Sequence, residues 1–296
     1  MNPREQGFLL LTGYLGDPER KPLTTAQFRE LALRARAMEK PAPGVEMTAE
    51  DLLKMGYSRE SANRILGLLS QTEQLEWYLT EGKYARCVPV TRISKNYPAA
   101  VHHRLLLDAP GVLWAKGDLS LLETPMIALV GSRELKPDNR AFAEEVGKQA
   151  ALQGYTLVSG NANGADKTAQ DACLEQGGKV ISVVADRLDK HSEKENLLYL
   201  SLDGFDIPFS ALRALDRNRV IHCLGSKVFV AQCNLGKGGT WDGTKKNLRF
   251  GWSPVYCFGD GSPAIEELAQ MGAKKVVFDD LQDIAILQPD ARSFME

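Results

Sequence analysis

The chain has 296 residues, 44% hydrophobic and 25% charged, the make-up of an ordinary globular protein with room for a large domain and a smaller one. A formal net charge of -2 excludes a chain that gathers nucleic acid through an overall positive field, so such a partner would have to meet a local basic surface. Five cysteines without a C-x-x-C pair and four histidines at no zinc-like spacing argue against a disulfide framework and a metal site, and no cofactor is expected.

In chain order, the apolar patch of "MNPREQGFLLLTGYLGD" is too short for a signal segment, and no run approaches 18 apolar residues. A cytoplasmic chain without a membrane span is therefore expected. "LTTAQFRELALRARAME" places Phe28, Leu31, Leu33 and Ala35 in a charged background. "TAEDLLKMG" has Thr48 as a helix N-cap with Asp51 three residues on and Gly56 as the stop. "SRESANRILGLL" and "TEQLEWYLTEGKY" each begin with Ser or Thr, so residues 1–85 read as a small all-helical module of the SAM or helix-hairpin-helix kind.

From "CVPVTRISKNYPAAVHHRLLLDAPGVLWAKGDLSLL" the pattern changes to short apolar strands broken by Pro98, Pro110 and Gly111, the entry to a second domain over residues 86–296. Beyond Met126 continuous apolar runs alternate with helical ones: "MIALVG", a helix at 137–153, "TLVSG", a helix at 164–176, "KVISVVA" and a shorter helix. The series goes on with "ALRALDRNRVIHCLG" as helix, "KVFVAQ" as strand, a helix near 241–250, "PVYCF", "AIEELAQMG" and "KKVVFD". Apolar strands separated by helices predict a doubly wound, mostly parallel α/β sheet covered on both faces, with ligands at the carboxyl ends of the strands. "QPDARSFME" reads as a short tail.

Three glycine-rich loops sit at those ends, and an arginine pair precedes the strand that should lie beside the first two. Gly131, Ser132 and Arg133 follow the first strand, offering a close backbone approach, a hydroxyl and a two-pronged cation to a phosphate, or else a plain turn with a solvated arginine. Ser159, Gly160, Asn163, Gly164 and Asp166 follow the second. Asp166 there reads first as a helix cap and second as a ligand contact. In Arg217-Asn218-Arg219 the two arginines do not share a helix face, so one is expected to enter the site while the other pairs with an acid such as Asp216 or Asp206. The loop Lys237-Gly238-Gly239-Thr240 follows "KVFVAQCN", with Lys245, Lys246 and Arg249 nearby to extend a phosphate track; Phe209 and Trp241 are either base-stacking platforms or core. Glycine-rich exits recurring along one sheet edge point to anion binding more strongly than any one of them.

This ordered set resembles the DNA-processing protein A (DprA/Smf) family, built on an extended Rossmann-like domain. The resemblance is carried by "YPAAVHHRLLLDAPGVLWAKGDLSLLETPMIALVGSR", the "SGxAxGxD" loop, "RNRVI" and the late Gly272-Ala273. It implies non-catalytic single-stranded DNA binding in a basic pocket during DNA uptake and recombination, with transfer of the strand to the RecA recombinase in natural transformation and dimers formed through the same domain. It implies that the phosphate-gripping residues are the Gly131, Ser159 and Arg217 clusters. The chain departs from the family pattern at Asn163, where arginine is usual, and at Gln170, where histidine is usual. It also departs in the compressed Leu188–Asp206 segment and in "GGTWDGT", and no winged-helix domain is expected after Glu296. Weaker binding is expected from the first two. The alternative is a nucleotide-binding or nucleoside-monophosphate phosphoribohydrolase-like enzyme of the same superfamily, for which Asp166 or Asp242 would have to supply the carboxylate.

Overall fold

In the computed structural model, which describes residues 1–38 and 47–288, the chain begins with α1 (Pro3–Thr12), α2 (Thr25–Ala37), α3 (Ala49–Lys54), α4 (Arg59–Leu69) and α5 (Thr72–Tyr84). Their starts are written locally. Thr48 caps α3 in a reciprocal box with Asp51, Thr24 does the same for α2 with Gln27, and Ser58 caps α4. Thr72 does not cap α5; it is the first helical residue, and Gln71 before it makes no side-chain cap. The N-terminal apolar patch is itself a helix, begun by a capping box between Asn2 and Glu5. On α2, Leu31 and Ala35 are one turn apart and fully buried, whereas Leu33 faces solvent. Glu39 and the tail beyond Gln288 lie outside the described residues.

The remainder runs β1 (Val88–Thr91), α6 (Ala99–Leu105), β2 (Val112–Gly117), β3 (Met126–Val130), α7 (Pro137–Leu152), β4 (Thr156–Ser159), α8 (Ala165–Glu175), β5 (Lys179–Val184), β6 (Leu197–Leu202), α9 (Ala211–Leu224), β7 (Val228–Val230), α10 (Gly238–Phe250), β8 (Val255–Phe258), α11 (Pro263–Gln270) and β9 (Lys274–Val276). The nine strands form one sheet in the order β1-β2-β6-β5-β4-β3-β7-β8-β9. Every pairing is parallel except the two made by β2, so β2 alone runs against the rest of the described sheet. Two elements differ from the sequence reading. The "shorter helix" after β5 is only a 3-10 turn, Leu188–Lys190, and the compressed segment beyond it supplies β6, six residues buried on both faces. Within the stretch read as strands, residues 99–105 are helical.

Alternation along the strands divides the core. Ile127 and Leu129 of β3 pack with α7 and α8 on one face, while Met126, Ala128 and Val130 pack with α6, α9, α10 and α11 on the other. The first of these clusters continues without a break into the N-terminal helices, where Tyr78 of α5 stacks on Phe205 and meets Trp114 of β2 edge-on. The Tyr78 hydroxyl donates to Asp206 Oδ1 at 2.6 Å. The helical module and the sheet thus share one core.

Between α9 and α10 lies a buried polar cluster. Asn247 Oδ1 accepts from the Ser253 amide, so its Nδ2 faces and donates to His222 Nδ1 at 3.1 Å. The proton of His222 then sits on Nε2, which is buried without a partner among the described residues. Burial pulls the imidazole down from 6.5 to about 4. The unfolded chain takes up this proton as pH falls below 6.5 and the native one does not, so the native state loses about 1 kcal/mol for each pH unit between 6.5 and about 4. Urea midpoints at pH 7 and pH 5 check this. His222→Gln should flatten the difference, and an unchanged difference would assign it to other groups.

Candidate nucleic-acid interface

The chain enters the sheet's parallel part at β3, winds outward through β4, β5 and β6, and returns through α9 to β7 on the other side of β3. The order of strands reverses between β3 and β7, and a crevice opens there at the strands' carboxyl ends. It is a cavity of about 840 Å³ whose walls come from the β3 exit (Gly131, Ser132, Arg133, Lys136), the β4 exit (Ala162, Asp166), α9 (Leu215, Arg217, Asn218) with Phe209 just before it, and the β7 exit (Gln232, Lys237 to Thr240).

Arg217 is the centre of this arrangement. It is 7% exposed, and its Nε and Nη1 are buried with no hydrogen-bond partner among the described residues. Its Nη2 stands 3.9 Å from Asp166 Oδ2, too far for a hydrogen bond and close enough for charge to matter. Gly160 makes room for it: a Cβ there would fall 1.4 Å from Arg217 Nη1. Burial pulls the guanidinium's pKa down and pushes the Asp166 carboxyl's up, and in each case the partner's opposite charge is the largest opposing influence. A desolvated guanidinium that is only partly neutralised and has unpartnered N–H groups, in the wall of a cavity, is a demand for an anion. Arg133 is exposed at the rim close enough to add its charge.

The cavity is held by bonds between loops. The Ser132 amide donates to the Gln232 carbonyl at 2.9 Å, the Ala165 amide to the Ser132 carbonyl at 3.1 Å, and the Thr240 hydroxyl to the Gly131 carbonyl at 2.9 Å. Gln232, which the sequence reading passed over, receives the Lys136 amide and donates to the Glu134 carbonyl, each at 3.0 Å. Gly164, at φ +88°, lets the β4 exit press on the β3 exit, since a Cβ there would lie 2.3 Å from the Arg133 carbonyl oxygen. Arg213, also unforeseen, pins the start of α9 by donating to the carbonyls of Ala185 (2.7 Å), Ile207 (2.9 Å) and Leu202 (3.0 Å) and to Ser201 Oγ (2.9 Å). The sequence signal for Gln232 is its place as the first polar residue after the apolar run of β7, and Arg213 has none, being one solvated-looking arginine among several on that helix.

The structure brings together Gly131, Ser132, Arg133, Asp166, Arg217, Asn218, Lys237, Gly238, Gly239 and Thr240 on the cavity wall, packs Gly160 and Gly164 directly behind it, and places Ser159, Asn163, Arg219 and Lys245 off the lining. Ser159 is fully buried and its hydroxyl donates to the Leu129 carbonyl at 2.8 Å, so it has no donor left for a ligand. The Ser132 and Thr240 hydroxyls are likewise directed to carbonyls of neighbouring loops. Asp166 is not the α8 cap: Gly164 holds that position, and the carboxylate, on the helix's second residue, accepts from the Ala162 amide at 3.3 Å, orienting the loop. Arg219 points away, paired with Asp216 at 2.9 Å and donating to the Asp108 carbonyl. Of the two arginines, only Arg217 enters. Asn163 is exposed and outside the lining. Gln170 is buried with its Nε2 3.4 Å from Ser182 Oγ, so an imidazole's absence there leaves the cavity wall unchanged. Lys245 lies over the face of Trp241, 5.4 Å from its centroid, and Trp241 is 3% exposed core. Lys245 and the exposed Lys246 and Arg249 lie down α10, beyond the cavity. Phe209, 56% exposed at the cavity wall, is the aromatic that remains open to a base. No group of three or more metal-ligating side chains occurs among the described residues.

Comparison with known proteins bears on the fold and the family. DNA processing protein DprA of Streptococcus pneumoniae is 34% identical over 143 residues, covering 45% of this chain and 50% of the relative. Protein Smf of Escherichia coli is 31% identical over 142 residues, 44% of this chain and 38% of the relative. The matches thus span half or less of these relatives' own length. The X-ray structure of the Streptococcus pneumoniae protein superposes with a TM-score of 0.70 at 24% identity, covering 93% of this chain and 95% of that one. A structure of DNA processing protein A from Helicobacter pylori, described for its single-stranded DNA binding mode, gives 0.56 at 24% identity, covering 67% and 94%. Both likenesses concern the fold. Residues 89–284 match the family described as DNA recombination-mediator protein A, and the match takes in the sheet, both helical layers and every wall of the cavity. The chain belongs to that family, the DprA/Smf proteins.

Proposed function

We propose that this chain binds single-stranded DNA through its phosphates at the β3/β7 crevice and serves, without catalysis of its own, as a mediator of DNA recombination in the cytoplasm. The observation that carries the reading is Arg217, a buried guanidinium with unpartnered N–H groups on the wall of a cavity rimmed by Arg133, Lys136 and Lys237. Backbone amides in the first turn of α10, which has no side-chain cap, add donors of the kind phosphate takes at helix N-termini. None of these groups reads a base, so binding is sequence-independent and salt-sensitive, and Phe209 supplies a face for an unpaired base. Transfer of the strand to RecA and dimer formation belong to this reading as further expectations from the family. The helical module over residues 1–85 then stiffens the β1-β2 edge through the shared core.

The phosphoribohydrolase alternative loses its carboxylates. Asp166 is turned to Arg217 and the Ala162 amide, and Asp242 is exposed on α10 outside the cavity. No helix among the described residues is long and apolar enough to cross a membrane.

Equilibrium binding of labelled oligo-dT over a salt series tests the proposal. Arg133→Ala should weaken binding several-fold at low salt and lower the slope of log affinity against log salt by about 1. Binding that is absent at low salt, or indifferent both to salt and to the substitution, contradicts it. A gain of charge tests the same field: Asn163→Arg, at an exposed site beside the lining residue Ala162, should tighten oligo-dT binding about threefold at low salt, with the gain fading as salt is raised. No gain at any salt would show that the β4 exit does not face the strand.

A further inference from the structure

We propose that the crevice is a receptor for a terminal phosphate monoester, so that the chain grips a phosphorylated strand end in preference to the phosphodiesters within a strand. This rests on the reading that the crevice binds single-stranded DNA, and it specifies which part of the strand enters.

Charge is the first argument. The ionisable residues of the lining are Arg133, Lys136, Arg217 and Lys237 against Glu134 and Asp166, four cations against two carboxylates and a net +2. A phosphodiester brings one negative charge, whereas a monoester brings about -1.5 to -2 at pH 7, which matches the lining. Donor number is the second. Arg217 alone offers two unpartnered nitrogens, Nε and Nη1, and the uncapped first turn of α10 at Gly238 to Thr240 lies on the same cavity. A diester has two non-bridging oxygens to receive them; a monoester has three, all strong acceptors. Depth is the third. Arg217 is 7% exposed, so a phosphate reaching it must leave the surface, and a chain end does so with a single ester oxygen attached while an internal phosphate must carry chain in and out. A cavity of about 840 Å³ lies within the range that encloses a small ligand.

Three sources offer this chemistry: a 5′-phosphate end, a 3′-phosphate end and a free nucleoside monophosphate. The experiment compares, at one length and one salt concentration, oligo-dT bearing a 5′-phosphate, a 3′-phosphate or hydroxyls at both ends, together with the circularised oligo-dT. Competition by thymidine monophosphate is measured in parallel. A phosphorylated end is expected to bind at least tenfold tighter than the hydroxyl-ended and circular strands. Which end shows the gain identifies the source, and displacement of every strand by the monophosphate at low concentration assigns the site to the free nucleotide. The gain should shrink as pH falls through about 6, where the monoester becomes a monoanion. Arg217→Gln, with its thermal transition checked, should remove the gain; should that variant not fold, Lys136→Gln at the exposed rim should reduce it. Equal affinity for all four strands with no competition overturns the inference while leaving strand binding intact. Failure of all four to bind overturns the reading on which it rests.

Discussion

A buried arginine without a full set of partners constrains much of the sheet's carboxyl edge. Leaving a guanidinium's N–H groups desolvated and unpaired is costly, and a fold keeps such a group only where its surroundings hold it firmly or a ligand completes it. Arg217 reaches its position because Gly160 has no side chain, because Arg213 fixes the start of α9 against the ends of β5 and β6, and because Asp166 offsets part of the charge from 3.9 Å. Asp166 is itself oriented by the loop it orients, through the Ala162 amide. The glycine and the carboxylate come from one loop, the exit of β4, and the arginine from α9 some fifty residues on, so the site exists only where the fold brings those two stretches together.

The loops around them illustrate a division of labour between hydroxyls and cations. Ser132, Ser159 and Thr240 stand where a phosphate would be welcomed, yet all three donate to main-chain carbonyls and knit the strand exits together. The anion-binding capacity is left to guanidinium, ammonium and helix-end amides. A rigid frame of neutral hydrogen bonds with charged groups facing inward is the arrangement that keeps a cationic site open before its ligand arrives.

The fold was legible because a parallel sheet buried on both faces leaves long apolar runs, and "MIALVG", "KVISVVA" and "KVFVAQ" carry that signature plainly. β6 escaped because "NLLYLSL" stands between a polar turn and the Asp203-Gly204 turn with no α-helix before it, and α6 escaped because Pro98 and Pro110 frame it like strand punctuation. At the site, spacing announced that Arg217 and Arg219 diverge, and they do. It could not announce which neighbours each hydroxyl would find, because those partners lie some thirty to a hundred residues away in sequence. For the same reason spacing left Trp241 open between platform and core and placed Lys245 on the phosphate track: α10 buries the tryptophan, and Lys245 lies over its ring beyond the cavity.

The central claim is that a phosphate completes Arg217. The most direct test is a structure of this chain bound to short oligo-dT. The account predicts a phosphate oxygen within hydrogen-bond distance of Arg217 Nη1 or Nε, inside the β3/β7 crevice and beside the first turn of α10. A strand bound elsewhere on the surface, with Arg217 still unpartnered, would contradict it.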